Sequence, residues 1–221
     1  MWRLQQLLRK IPFQWNLLRQ NLRARRLRVR WQALVHRLPR TPEGEALLHI
    51  GCGDINARHF INIDARDKPH VHIVTKDLFK LDLIPSGFAD LIYMSHVLEH
   101  VGHRSVVSVL KEMRRILKPG GVLRISVPDF ECILRIYRSN GNDISAIEQP
   151  LFGGQDYQFN YHYSAFNHAY LDACLRCAGF GHVRTWDPHH TNYHNFEDWS
   201  SREVSWGGKM FPISLNLEGV K

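Results

Sequence analysis

The sequence predicts an α/β domain on a largely parallel sheet, preceded by a basic helical extension. Three observations lead there. From Ala46 onward, short β-rich apolar runs alternate with amphipathic stretches, the pattern of strands joined by helices. Charge divides sharply near residue 40. The chemically distinctive residues stand just after the strand runs, where open parallel sheets bind ligands.

Residues 1 to 38 hold ten Lys or Arg and no Asp or Glu, leaving 19 basic and 21 acidic residues in the rest. The net charge of +8 is therefore the sum of a strongly basic arm and a nearly neutral domain. Leu4, Leu7, Leu8 and Ile11 share one helical face, and Pro12 interrupts the pattern. It resumes with Leu27, Trp31, Leu34, Val35 and Leu38. Pro39 and Pro42 mark a hinge, which places the extension at 1–40 and the domain at 41–221.

Apolar residues make up 44% and charged residues 23%, as in soluble globular chains. No run is apolar for the ~18 residues of a membrane span, and no secretory signal is visible. The four cysteines do not form a disulfide framework in a chain of this size, and the cytoplasm is the expected compartment.

Residues 47–50 (LLHI), 60–64 (FINID), 71–74 (VHIV), 89–95 (ADLIYMS) and 122–128 (VLRISVP) read as strands. Residues 105–118 read as an amphipathic helix stopped by Pro119-Gly120-Gly121. Helices are expected at about 130–138 and at 168–180, with closing strands at 182–187 and 213–219. Between them, 150–163 is aromatic, rich in His and without clear period.

Gly51-Cys52-Gly53 follows the first strand, and its glycines let backbone approach a ligand closely. Asp64 ends the second strand, where a carboxylate can accept both hydroxyls of a ribose. Asp77 and Leu78 follow the third strand, and Ser95 and His96 the fourth. Gly-x-Gly alone is weak evidence, since tight turns use it routinely. The ordered series is far more specific.

On these residues the chain resembles class I S-adenosylmethionine-dependent methyltransferases. HIGCGD (49–54) is similar to their first motif, Asp64 stands at their ribose-binding position and Asp77 at their adenine-contacting one. SHVLEHV (95–101) followed by LKPGGVLRISVPD (117–129) resembles the methyltransferase-11 type. LFGGQ (151–155), FNYHYSAF (159–166), AGF (178–180) and PISLNL (212–217) resemble short methyltransferase-like proteins of bacterial surface-polysaccharide clusters. The resemblance covers residues 46–221 and not the arm. It implies a Rossmann-like sheet with an antiparallel closing strand. It also implies S-adenosylmethionine as cofactor, held by Gly51, Cys52, Gly53, Asp64, Asp77, Leu78, Ser95 and His96. The acceptor it implies is a small molecule, sugar or glycolipid.

One departure stands out. Residues 51–59 are fewer than the dozen or more that a parallel crossover needs. Either the usual helices shrink to single turns or the strands pair differently. The helix whose N-terminus would help hold the methionine carboxylate is then missing. That departure keeps open an alternative: a non-catalytic methyltransferase-like module that tethers a partner to membrane or nucleic acid.

His96-Val97-Leu98-Glu99-His100 matches the H-x-x-E-H pattern of inverted zinc peptidases. The methyltransferase frame accounts for it without a metal, with Ser95 and His96 facing the cofactor and Glu99 and His100 beginning the next helix, and no metal site is assigned. Cys174 and Cys177 read as buried cysteines of an apolar helix, and His189, His190 and His194 as a solvated or pocket-lining loop. Position 56 is Asn where a nicotinamide fingerprint has its third glycine, which disfavours a dehydrogenase. No Asn-Pro-Pro-Tyr element follows the fourth strand, which disfavours methylation of DNA bases.

Methylation of a hydroxyl needs a base, and His162, flanked by Tyr161, Tyr163 and Asp156, is the candidate. For the arm, arginines without acids together with Trp2, Phe13, Trp15 and Trp31 point to an anionic membrane surface. The inner membrane face is the expected location, with a protein partner or nucleic acid as competitors. Oligomeric state is not legible.

Overall fold

The computed structural model describes the backbone from Trp2 and side chains from Leu18. The chain divides into two units, residues 1–38 with 82–85, and residues 39–81 with 86–221.

The first unit is carried by helix α1, Trp2–Val35. It runs through Pro12 without a break. A proline removes one backbone hydrogen bond but leaves the ladder on either side to continue the helix. Leu27, Trp31, Leu34 and Val35 are half-buried and Leu38 is buried, along the seam that their spacing predicts, while Leu18, Leu22 and Val29 are exposed. Arg23 pairs with Asp82 at 2.6 Å in a largely exposed contact, of a kind that contributes little to stability. No described helix is long and apolar enough to cross a membrane.

The second unit opens with β1 (Leu47–Ile50), β2 (Phe60–Asp64), β3 (Ile73–Val74) and β4 (Ala89–Ser95). Then come α2 (Val106–Ile116), β5 (Leu117–Pro128), α3 (Phe130–Ser139), α4 (Glu148–Phe152), α5 (His168–Cys177) and β6 (Gly181–Thr185). A hairpin of β7 (Glu203–Trp206) and β8 (Lys209–Pro212) precedes β9 (Ser214–Val220). The main sheet has the order β3-β2-β1-β4-β5-β9-β6. It is parallel from β3 to β5, and β9 runs antiparallel to both of its neighbours. This is the Rossmann-like, mostly parallel sheet with an antiparallel closing strand that the sequence predicts.

Local chemistry sets the helices. In α2, Val106, Val109, Leu110, Met113 and Ile116 form one buried stripe. Asp129 caps α3 through a bond from the Glu131 amide, and Asn167 caps α5 through one from the Tyr170 amide. All four cysteines are free; Cys174 is buried but Cys177 is exposed, so the expected buried pair holds for one member only. The third strand is shorter than its apolar run, and the β7–β8 hairpin lay outside the expected elements. Glu99 and His100 sit in a single 3₁₀ turn (Leu98–His100) rather than at the start of the next helix.

β1 and β2 do pair in parallel, with Leu47 opposite Phe60, and no helix lies between them. Side-chain bonds tie the short connections instead. Fully buried Asn62 donates through its side chain to the Asn56 side chain and to the His70 carbonyl, each at 3.2 Å. Its amide donates to His72 Nδ1 at 2.9 Å.

With no helix in this crossover, the flank of β1, β2 and β4 needs other cover. Residues 186–200 provide it. Trp186, Tyr193 and Phe196 pack with Leu47, Phe60, Leu91 and Tyr93. His49 stacks on Phe196 with centroids 5.5 Å apart, and His194 lies edge-on to Tyr93 at 5.3 Å. The Tyr93 hydroxyl donates to Asp198 Oδ2 at 2.5 Å and so pins the segment. His194 is thus part of a buried cluster, unlike the exposed pair of His190 with Asp187.

Burial holds the His49 imidazole down at about 4, against an ordinary value of 6.5. The unfolded chain takes up a proton below 6.5 that the folded chain refuses until about 4. Stability from this source is complete above pH 6.5 and is lost as the pH falls toward 4. Urea unfolding between pH 7 and pH 4 should show a fall of about 3 kcal/mol attributable to this group. His49→Phe keeps the stack and should remove that part of the slope; an unchanged slope would place its origin elsewhere.

Candidate functional site

A cavity of about 830 Å³ lies at the carboxyl ends of β1, β2 and β4. Strand order reverses between β1 and β4, which is where open parallel sheets take their ligands. Its size suits a small molecule or cofactor.

One wall is the turn after β1. The amides of Gly51 and Cys52 donate to the Ile63 carbonyl at 2.7 and 3.2 Å, folding the turn against β2. Gly51 has φ of +68°, and a Cβ there would meet Val97 Cγ2 at 2.3 Å. The position therefore needs glycine on both conformational and steric grounds. Burial pushes the Cys52 thiol up to about 12, with the charge of Asp64 adding to it, so the thiol is inert. The Gly53 amide donates to Asp64 Oδ2 at 2.8 Å. Asp64 Oδ1 accepts from the Arg66 amide at 2.9 Å and from its guanidinium at 3.2 Å.

Cys52, Gly53, Asp64, Leu78, Ser95 and His96 line the cavity with Gly51. Asp77 does not. It is exposed, and its carboxylate accepts from the Phe79 amide at 2.8 Å, closing a local turn. Thr75, Lys76, Leu78 and Phe79 present the third-strand loop to the cavity instead.

The opposite wall is residues 149–163 together with Trp199 and Trp206. The glycine pair of LFGGQ explains how this loop closes. A Cβ at Gly153 would fall 2.4 Å from the Asn160 carbonyl oxygen, and φ there is +80°. The Gln155 amide donates to Asn160 O at 2.9 Å, and the His162 amide to Phe152 O at 3.0 Å. His162 is thereby set facing the cavity. Tyr161 and Tyr163 stack at 6.5 Å, and Tyr163 lines the cavity.

Between the walls lies the end of β4. His96 has φ of +52°, a left-handed conformation uncommon outside glycine, and it turns the chain into the Leu98–His100 turn. Glu99 is 1% exposed, with His96 Nδ1 at 3.3 Å and His162 Nε2 at 4.0 Å from its Oε1. Burial raises the Glu99 carboxyl, but His96, His100 and His162 outweigh this and hold it below the ordinary range. Burial lowers the His162 imidazole against the pull of Glu99, so it carries a lone pair at neutral pH. Such a pair can accept a proton from a ligand in the cavity.

Sequence reasoning placed His162 and His96 separately and read Glu99 as the start of a helix. It did not join His162 to Glu99 and His100, from which it lies about 60 residues away in the chain. The H-x-x-E-H pattern holds Glu99 and His100 together, but nothing in it points to His162.

Residues 23–185 match a family model described as a methyltransferase domain. No curated protein matches the chain. Among solved structures, an S-adenosylmethionine-dependent methyltransferase of Thermotoga maritima aligns with a TM-score of 0.50 at 21% identity, covering 86% of this chain and 87% of its own. One from Archaeoglobus fulgidus aligns with a TM-score of 0.52 at 15% identity, covering 88% and 94%. At these identities the likeness is one of fold.

Proposed function

The chain belongs to the methyltransferase-domain family, and from that premise we propose that it methylates a hydroxyl of a small-molecule, sugar or glycolipid acceptor, using S-adenosylmethionine. The observation that carries this reading is a single cavity bounded by the Gly51–Gly53 turn and Asp64 on one side and by the Glu99–His162 pair on the other.

The cavity fits the cofactor. The Gly51–Gly53 turn borders the cavity with backbone rather than side chain at its two glycines, and Asp64, 7% exposed, keeps one lone-pair site on Oδ2 beyond the three bonds it accepts. Asp64 would hold the ribose hydroxyls, and Leu78, Ser95 and His96 would complete the wall. Asp77 enters this proposal only through its loop. No helix follows β1, so the methionine carboxylate needs a partner other than a helix N-terminus. S-adenosylmethionine supplies a methyl group on a positively charged sulfur: an O–C bond forms, the S–C bond breaks, and its electron pair stays on sulfur. The chain's own task is to orient the acceptor and take its proton. His162 Nδ1 faces the Pro150 carbonyl at 3.2 Å, so that nitrogen donates and Nε2 is free to accept. Tyr157, Phe159, Tyr163 and Trp199 offer flat faces suited to a sugar ring.

Asp64→Ala should weaken S-adenosylmethionine binding at least about tenfold by calorimetry while the fold persists, since charge-assisted bonds contribute ~1.5–3 kcal/mol each. Unchanged affinity in a folded variant would remove Asp64 from the site. A wild-type chain that binds no cofactor would instead favour the non-catalytic tether.

His162→Ala should lose roughly 10²–10⁴ in turnover yet bind S-adenosylmethionine normally. Near-normal rates on an identified acceptor from pH 6 to 9 would exclude it.

The arm, residues 1–38, serves in this proposal as a surface anchor on anionic membrane, with basic residues contributing on the order of 1 kcal/mol each. Full-length chain should sediment with anionic vesicles and be released by salt, while a chain starting at Thr41 should stay in solution with unchanged cofactor affinity. If neither sediments, or if RNA binds the arm more tightly than lipid, the anchor fails.

A further inference from the structure

We propose that Glu99, His100 and His162 bind a divalent transition-metal cation whose open coordination positions face the cavity and take the oxygen of the acceptor hydroxyl.

One ligand atom from each of these residues lies within 4.8 Å of the other two. Donors bonded at ~2.1 Å and tetrahedral angles stand ~3.4 Å apart, so closing the site needs the three side chains to draw in by about 1.4 Å at most. Glu99 is 1% exposed, and neither of its carboxylate oxygens accepts a well-formed hydrogen bond. Burying a carboxylate in this condition is costly unless a positive partner compensates it.

The tautomers sharpen the point. His162 Nδ1 lies 3.2 Å from the Pro150 carbonyl and His100 Nδ1 3.0 Å from the Tyr161 carbonyl. Carbonyls only accept, so both Nδ1 atoms carry hydrogen and both Nε2 atoms are left with lone pairs. His96 behaves alike from the other end. Ser214 Oγ donates to the Trp199 carbonyl at 2.6 Å, so its contact with His96 Nε2 at 2.8 Å must receive hydrogen from the ring. His96 Nδ1, 3.3 Å from Glu99 Oε1, is then also a lone pair in the neutral ring. When the rings are neutral, lone pairs thus surround a buried carboxylate, and protons on the rings compete with a cation for that place. A cation satisfies them together, and backbone carbonyls that orient ring nitrogens are the usual support of metal-bound histidines.

Two imidazoles and one carboxylate favour manganese, iron(II), cobalt or zinc over magnesium or calcium. Three protein ligands leave positions open, as in sites that act on a substrate. Glu99, His100 and His162 all line the cavity, so those positions face the acceptor.

This inference rests on the reading of the cavity as an acceptor site and deepens it. A hydroxyl bound to the cation loses its proton to water more readily. The oxygen's electron pair then forms the O–C bond as the S–C bond breaks toward sulfur. His162 is here a ligand, and the cation does what an unassisted imidazole base would otherwise do.

The test uses the full chain, stripped with chelator and titrated with Mn²⁺ alone under electron paramagnetic resonance, then with Zn²⁺ in competition. One tight equivalent of Mn²⁺, displaced by Zn²⁺, is expected. Glu99→Gln should weaken it at least about 100-fold. Because Glu99 is buried, His100→Asn and His162→Asn serve as independent variants, each folded by circular dichroism and each weakened at least about tenfold. S-adenosylmethionine affinity is measured on the same samples and should survive chelation. Stoichiometric Mn²⁺ binding that all three variants retain would overturn the site, as would no binding of either ion by the folded wild-type chain. Loss of cofactor binding with metal binding intact would instead count against the methyltransferase reading and leave the metal site standing.

Discussion

Residues 51 to 59 must carry the chain from the end of one parallel strand to the start of the next. They are too few for the helix that normally makes such a crossover. The amides of Gly51 and Cys52 fold back onto Ile63, and Asn62 takes up the polar groups of the loops beside it. The price is a sheet face without its helix, and the packing of the C-terminal third follows from that vacancy.

Residues 186–200 fill it with rings rather than with a helix. Trp186, His194 and Phe196 lie against His49, Phe60 and Tyr93, and the Trp186 indole donates to the Ile125 carbonyl at 3.1 Å. Rings without backbone periodicity need polar anchors. Asp198 supplies one: burial raises its carboxyl, yet bonds from Ser200 and Tyr93 hold it below the ordinary range. The same segment leads to Trp199, which reaches the cavity and His96. The cover of the sheet and the rim of the site are therefore one piece of chain.

β4 connects these two regions. Tyr93 belongs to the aromatic cover, and Ser95 and His96 to the cavity. The left-handed turn at His96 brings Val97 against Gly51 and Glu99 among the histidines. A small displacement of this turn would disturb both walls of the cavity together. Close packing makes such coupling stiff, because a side chain at Gly51 would meet Val97 and not solvent.

The sequence by itself determined the α/β class, the order along the chain of the strands of the main sheet, the basic arm and the cavity wall of Gly51, Cys52, Gly53, Asp64, Leu78, Ser95 and His96. Those features are local: apolar periodicity, charge counts and residues at strand ends. It also showed that the first crossover was too short, because chain length alone limits what can fit there. It could not say what replaced the missing helix, since the His- and Trp-rich stretch at 186–200 has no period that reveals which face it covers. Nor could spacing show that Asp77 turns outward, where the Phe79 amide satisfies its carboxylate. Only the tertiary structure brought His162 to Glu99 and His100. That meeting depends on Gly153 packing against Asn160 and on carbonyls at Pro150 and Tyr161 fixing two rings. Contacts between residues some 60 positions apart are decided by how the chain closes, and no run of neighbouring residues encodes them.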